Sequence, residues 1–152
     1  MINQTLCTSF KAEILLGVHD FRITGGDTFK IALYTANANL GADTTQYTST
    51  GEASGTNYTA GGVVLTNGGV EASSNTGFAT FSNVTFTNVT LTARGALIYN
   101  TTPSALSASG AVLTNPAVCV LDFGADKIMT GQNLTITFPA NDSNSAIIRI
   151  GQ

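Results

Sequence analysis

The chain has 152 residues, enough for one domain with a sizeable core, so we expect it to fold without a disulfide framework or a metal. Only 10% of the residues are charged, the net charge is −3, and the Lys and Arg are scattered singly, which argues against nucleic acid as a partner. No apolar run reaches the roughly 18–20 residues of a membrane span, and the start lacks the charged region of a secretory signal peptide; we therefore expect an intracellularly made protein with no membrane partner.

The polar part of the composition is mostly uncharged, with 24 Thr, 13 Asn and 11 Ser. Charge and small apolar patches are what keep freely diffusing proteins apart. A surface this poor in charge suits a subunit whose faces are covered by other subunits.

The first predicted element is a helix within residues 8–21. Thr8 or Ser9 is the candidate N-cap, and Gly25-Gly26 marks the start of a new element. The spacing places four apolar residues on one side of this helix: Phe10, Ile14, Leu15 and Val18. We therefore predict that residues 1–26 form an N-terminal helical arm.

From residue 28 onward, short β-branched and aromatic runs alternate with Gly, Asn, Asp, Ser and Pro, which is typical of strands and turns. The predicted strands are Phe29–Thr35, Val63–Leu65, Phe78–Phe81, Val84–Phe86, Val89–Thr92, Ala96–Tyr99, Ala117–Phe123, Leu134–Phe138 and Ala146–Ile150. Several alternate with period two and so offer one apolar face to a core. The expected fold is mainly β: a single antiparallel β-sandwich domain over residues 1–152, of jelly-roll or Ig-like type.

Two long segments rich in Gly, Ser and Thr interrupt the strands. Asn37–Gly62 has little apolar periodicity, and Thr101–Asn115 is rich in Ser and Ala. Loops longer than about 12–15 residues are uncommon in compact domains unless they bind something or line an interface. We predict that both are surface excursions and candidate contact elements.

A local echo predicts a backbone irregularity. Asn83–Thr87 reads Asn-Val-Thr-Phe-Thr and Asn88–Thr92 reads Asn-Val-Thr-Leu-Thr, a period of five. An odd period reverses the alternation of a strand, so a bulge or bend is expected near Thr87-Asn88.

Few residues offer catalytic or metal-binding chemistry. His19 is the one histidine, which excludes a two-histidine metal site, and we interpret His19-Asp20 as a polar helix end. Asp122 and Asp126 flank a glycine and form the closest pair of carboxylates. They suggest either a sugar-cleaving acid pair, a sparse calcium site or, as we favour, a turn in which Asp bonds local amides. We therefore predict no catalytic, cofactor-binding or metal-binding residue and no enzyme activity.

Other candidate residues have open roles. Cys119 lies in an apolar run and is predicted to be buried, while a Cys7–Cys119 disulfide stays open. Arg94 interrupts an uncharged strand and is either a solvated edge charge or an interface anchor. The tyrosines, if clustered on one face, would suit stacking on a sugar or on another subunit: Tyr34, Tyr47, Tyr58 and Tyr99.

Several whole phrases resemble a group of small virion structural proteins of tailed bacteriophages. The match covers about residues 27–150, in order. The phrases are Asp27–Thr35, Glu52–Gly62, Leu91–Tyr99, Val120–Gly124, Phe138–Asp142 and Ala146–Ile150. The helical start carries less of this resemblance.

The resemblance implies a bacteriophage virion component made in the host cytoplasm. The first expectation is a capsid decoration (cement) protein that binds the major capsid protein or other virion subunits and self-associates as a homo-oligomer, for which we take a trimer. The alternative is a neck, tail or fibre component that binds host-surface glycans. A third hypothesis, a glycan-degrading enzyme, depends on Asp122 and Asp126 alone.

Overall fold

A computed structural model describes residues 1–151, which form eight β-strands and one α-helix. The elements in chain order are β1 (Thr5–Leu6), α1 (Thr8–Leu15), β2 (Phe29–Tyr34), β3 (Val63–Val64), β4 (Asn67–Ser73), β5 (Thr76–Phe81), β6 (Val84–Asn100), β7 (Ala117–Ile136) and β8 (Ile148–Ile150). The large sheet has the order β1-β7-β6-β2-β3 and the small sheet the order β4-β5-β8. All neighbouring strands are antiparallel, so the predicted mainly β, antiparallel class is confirmed.

The core lies where aromatic rings of the two sheets meet. Phe29 of β2 packs edge-on against Phe81 of β5, with ring centroids 5.4 Å apart. Phe21 stacks on Phe29 at 4.5 Å, and Phe138 contacts Phe81 at 5.6 Å. Rings in such offset and edge-on arrangements bury large apolar surfaces with favourable quadrupole contacts. The buried cluster extends from Ile2 to Ile148, so the N-terminal residues contribute to the same core.

The helix is shorter than predicted. It ends at Leu15, because Gly17 adopts a left-handed conformation (φ 70°) that closes the helix. The amide of Gly17 donates to the carbonyl of Ile14, and the amide of Val18 donates to that of Glu13, which is the Schellman arrangement. No helix among residues 1–151 is long and apolar enough to cross a membrane.

Two further details of the predicted helix are wrong. Its N-cap is Cys7, without a side-chain hydrogen bond, instead of Thr8 or Ser9. Of the predicted apolar side, Phe10 is buried in the core, whereas Leu15 is 88% exposed. His19-Asp20 does not lie at the helix end but after the reversal at Gly17.

Five predicted strands merge into two long ones. Val84–Phe86, Val89–Thr92 and Ala96–Tyr99 all lie in β6, and Ala117–Phe123 lies in β7 with most of Leu134–Phe138. The Asn and Gly residues between these runs produce bulges instead of chain reversals. The other predicted strands appear at similar positions, while β1 and the edge strand β4 were missed.

The predicted bulge at Thr87-Asn88 is confirmed. Phe86 pairs with Leu134 and Val89 with Gln132, so β6 carries one extra residue there, and Asn88 has φ 52°. The bulge resets the alternation and lets Phe86 and Val89 both point into the core.

The segment 37–62 forms no strand beyond isolated bridges. It lies partly inside the protein, however, because Ala38, Leu40 and Ala53 are buried. The prediction of a surface excursion is therefore only partly right, because part of the segment packs against the protein core. The segment 101–115 also lacks strands and carries exposed apolar side chains such as Val112.

Candidate interface groove and the polar clusters

An apolar groove lies between α1 and β8. We define this interface groove by Ile14 and Leu15 of α1 and by Ile148 and Ile150 of β8. It consists of two adjoining hollows of about 310 Å³ each, which share Ile14, Ile148 and Ile150. The sequence did not indicate this groove, because its two walls come from opposite ends of the chain.

The groove leaves large apolar side chains in contact with solvent. Leu15 is 88% exposed, Ile150 is 59% exposed, and Val70 at the neighbouring edge of the small sheet is 57% exposed. Lys11 of α1 and Arg149 of β8 line one of the two hollows, and both are exposed. Contiguous exposed apolar surface is a frequent mark of a protein–protein contact.

The structure brings together Arg94, Asp122 and Asp126. Arg94 Nε donates to Asp122 Oδ1 at 3.3 Å, and its Nη1 lies 3.8 Å from Asp126 Oδ1. Asp122 Oδ1 also accepts a 2.9 Å hydrogen bond from the Gly124 amide, as in the turn that we favoured. That amide and then Arg94 lower the pKa of Asp122. A general acid of a glycosidase needs a raised pKa, so this arrangement favours an ion-pair cluster.

Three of the four tyrosines whose clustering the sequence left open lie close to Glu52. The hydroxyls of Tyr47 and Tyr58 donate to Glu52 at 2.6 and 2.7 Å, and the Gly61 amide donates at 2.7 Å. Tyr99 stacks on Tyr47 at 4.8 Å and donates to the carbonyl of Gly61. Burial and Glu52 raise the pKa of Tyr99 to about 12.

These tyrosines therefore fasten the segment 37–62 to the large sheet. The hydroxyl of Tyr34 is also used internally, since it donates to the Thr48 carbonyl at 2.5 Å. A sugar ligand is usually held by free polar groups beside an apolar ring. The internal use of the hydroxyls gives no support to glycan binding by this cluster.

A second buried polar cluster surrounds His19. Its imidazole is fully buried, with Nε2 2.7 Å from Glu13 Oε2 and Nδ1 3.1 Å from Asn100 Nδ2. Asn100 Nδ2 in turn donates to Asp27 Oδ2 at 2.8 Å. Sequence reasoning missed this cluster; the one available signal was a single His among Phe10, Phe21 and Phe29.

The two cysteines are both free and buried. Cys119 is buried as predicted. The disulfide between Cys7 and Cys119, which the sequence left open, is not formed. Burial, followed by the nearby Glu13, raises the pKa of Cys7 to about 11. Within residues 1–151, no group of three or more His, Cys, Asp or Glu side chains is arranged to hold a metal ion.

Comparisons with protein-family models, with curated proteins and with solved structures gave no match to this chain.

Proposed function

We propose that this protein is a structural subunit of a tailed-phage virion, and specifically a capsid decoration (cement) protein. The interface groove is the observation that carries the proposal. It places apolar side chains on an otherwise weakly charged surface, as suits a subunit that binds the major capsid protein or sister subunits. The resemblance of whole sequence phrases to virion proteins supports the same assignment.

The finer fold belongs to this proposal. Two antiparallel sheets that meet through aromatic side chains support a single β-sandwich domain, of jelly-roll or Ig-like type, over residues 1–152. Residues 1–26 would then be an arm that is anchored in the sandwich by Ile2, Cys7 and Phe10. The exposed face of this arm forms one wall of the interface groove.

Apolar contacts suit permanent attachment to a particle. Contacts between exposed charges weaken as salt rises, because ions screen them, whereas buried apolar surface keeps its contribution. The groove offers Leu15 and Ile150 for such contacts. A symmetric homo-oligomer, with a trimer as the assumed state, would repeat the contact around a lattice junction.

The test uses capsids that lack this protein, to which purified protein is added back. Wild-type protein should co-sediment with the capsids and raise the temperature at which they open. The variant Leu15→Glu should lose both effects, since it puts a charge into the groove. The control is Ile128→Glu, which replaces a 70% exposed residue of β7 outside the groove lining and should behave as wild type. Equal behaviour of the two variants would contradict the role of the groove.

The same particles test the alternative of a neck, tail or fibre component. An antibody label on intact particles should decorate the head. A label that appears only on the tail would overturn the decoration assignment and favour the alternative.

The proposal includes no enzyme activity. A screen with glycans should show no hydrolysis by the wild-type protein or by the double variant Asp122→Asn/Asp126→Asn.

A further inference from the structure

The hydrogen bonds around His19 define the form of its imidazole. Asn100 is fixed at both ends of its amide, because its Oδ1 accepts from the Thr102 amide at 2.9 Å and its Nδ2 donates to Asp27. Asn100 therefore directs an N–H group at Nδ1 of His19, which must act as an acceptor. The proton then lies on Nε2, where it is donated to Glu13.

A protonated imidazole does not fit this arrangement. Protonation would place an N–H on Nδ1, which would face the N–H of Asn100 at a separation of 3.1 Å. Reversing the amide of Asn100 does not help, because its oxygen would then face Asp27 and its nitrogen would face the Thr102 amide. One buried donor would stay without an acceptor, which is costly in the interior.

The remaining surroundings of the ring are mostly apolar. Phe10, Phe21 and Phe29 lie 5.0, 6.4 and 6.3 Å from it, centroid to centroid. Within residues 1–151, the charged groups that act on the ring are Glu13 from α1 and Asp27 from the segment before β2. The carboxylate of Asp20 is turned to Arg22.

The ring holds α1 in place. Glu13 is in the last turn of α1, so the Glu13–His19 contact fixes the helix to the chain after the reversal at Gly17. The carbonyl of Val18, next to His19, accepts from the Ser104 amide at 3.1 Å. We propose that His19 is an acid-sensitive latch, whose protonation expels the ring from its pocket and frees α1, and with it one wall of the interface groove.

The direction of the pH response follows from the burial of the ring. Burial lowers the pKa of His19, and this effect exceeds the opposite effects of Glu13 and Asp27. We call the state with the ring in its pocket closed and the state with the ring expelled open. A lowered pKa of the buried ring means that the closed state is fully favoured above the unfolded pKa of about 6.5 and is lost as the pH falls below it. Between the pKa of the unfolded chain and the lower pKa of the buried ring, each pH unit shifts the equilibrium about tenfold towards the open state.

The test uses the full chain, in which His19 gives the only imidazole signals. Nitrogen NMR at about pH 7.5 should show the form protonated at Nε2. On acidification below about pH 6.5, hydrogen-exchange protection of the Gly17 and Val18 amides should fall, by up to about tenfold for each unit of pH. The amides of Ile31 and Leu33 in β2 should keep their protection and serve as the internal reference.

Two variants separate the latch from other acid effects. In His19→Gln the side chain stays neutral, so protection at Gly17 and Val18 should no longer depend on pH. In Asp20→Asn, which removes a carboxylate beside the latch, the wild-type response should persist. A proton on Nδ1 at neutral pH, or unchanged protection of Gly17 and Val18 when the ring is protonated, would overturn the proposal even if His19→Gln does not fold.

Discussion

The hydroxyl of Tyr58 donates to Oε1 of Glu52 at 2.7 Å and at the same time accepts a 2.9 Å hydrogen bond from the Leu33 amide. A continuous chain of hydrogen bonds thus joins β2 to a carboxylate of the segment 37–62. Bonds in such a chain polarise and strengthen one another. Glu52 is therefore one of the points at which this long segment is fastened to the large sheet.

We expect removal of the Glu52 carboxylate to destabilise the protein strongly. Glu52→Ala leaves the hydroxyls of Tyr47 and Tyr58 and the Gly61 amide without their acceptor, and should lower the free energy of unfolding by about 2–4 kcal/mol. Glu52→Gln keeps one acceptor oxygen and should cost about 1 kcal/mol. Urea denaturation measures both values.

The control for this prediction is Asp43→Ala, which removes an exposed carboxylate from the same segment. Its effect should stay within about 0.5 kcal/mol. If Asp43→Ala cost as much as Glu52→Ala, the loss would reflect the charge of the segment instead of the tyrosine contacts.

The bulge at Asn88 gives a second prediction. Asn88 has φ 52°, a conformation that asparagine and glycine tolerate and alanine does not. Asn88→Ala should lower the free energy of unfolding by about 1–2 kcal/mol, whereas Asn88→Gly should cost less than half as much. Equal losses in the two variants, measured by urea denaturation, would show that the side chain and not the backbone conformation matters at this position.

The same position shows what the sequence predicts well. The five-residue repeat in Asn83–Thr92 predicted the bulge, because the order of the apolar residues itself shows where the alternation of the strand changes. The strand β2 was predicted, as Phe29–Thr35, from its alternating apolar residues. In contrast, β4 carries only one large apolar side chain, Val70, and that one is exposed; β4 is held by backbone pairing with β5, which leaves no periodic signal.

The helix and the sites were harder to predict, because tertiary contacts decide them. Helical spacing of apolar residues continues to Val18, so the pattern alone does not reveal the stop at Gly17. The interface groove joins Ile14 to Ile150, and the latch joins His19 to Asn100. Neither pair is close in the sequence, and no local pattern connects their members.

The cysteines should be unreactive in the folded protein. A thiolate is the reactive form, and burial raises the pKa of both thiols, to about 11 for Cys7. At about pH 8, DTNB should modify neither thiol of the native protein and both thiols in urea. Rapid reaction of one thiol without urea would contradict the burial of Cys7 and Cys119.

The ion-pair cluster should contribute to acid sensitivity. The Gly124 amide and Arg94 lower the pKa of Asp122, so its contribution to stability is present above the unfolded value of about 3.9 and is lost as the pH falls through the folded value. As the pH falls below about 3.9, Asp122→Asn should therefore lose less stability than the wild type. In Arg94→Gln the acid-induced loss of stability should be reduced less than in Asp122→Asn, because the Gly124 amide still lowers the pKa of Asp122. A larger reduction in Arg94→Gln than in Asp122→Asn would contradict the leading role of the Gly124 amide.

The turn before β3 depends on a glycine. Gly62 has φ 70°, and a Cβ at this position would lie 1.8 Å from the Ile31 carbonyl oxygen, deep inside contact distance. Gly62→Ala should thus cost about 2–5 kcal/mol, since it adds both backbone strain and a clash with β2. Gly77→Ala is the matched control, because a Cβ on Gly77 meets no atom within 4 Å. Circular dichroism should show a large fall in the thermal unfolding midpoint only for Gly62→Ala. A similar midpoint for both variants would mean that the backbone at Ile31 shifts to accommodate the new Cβ.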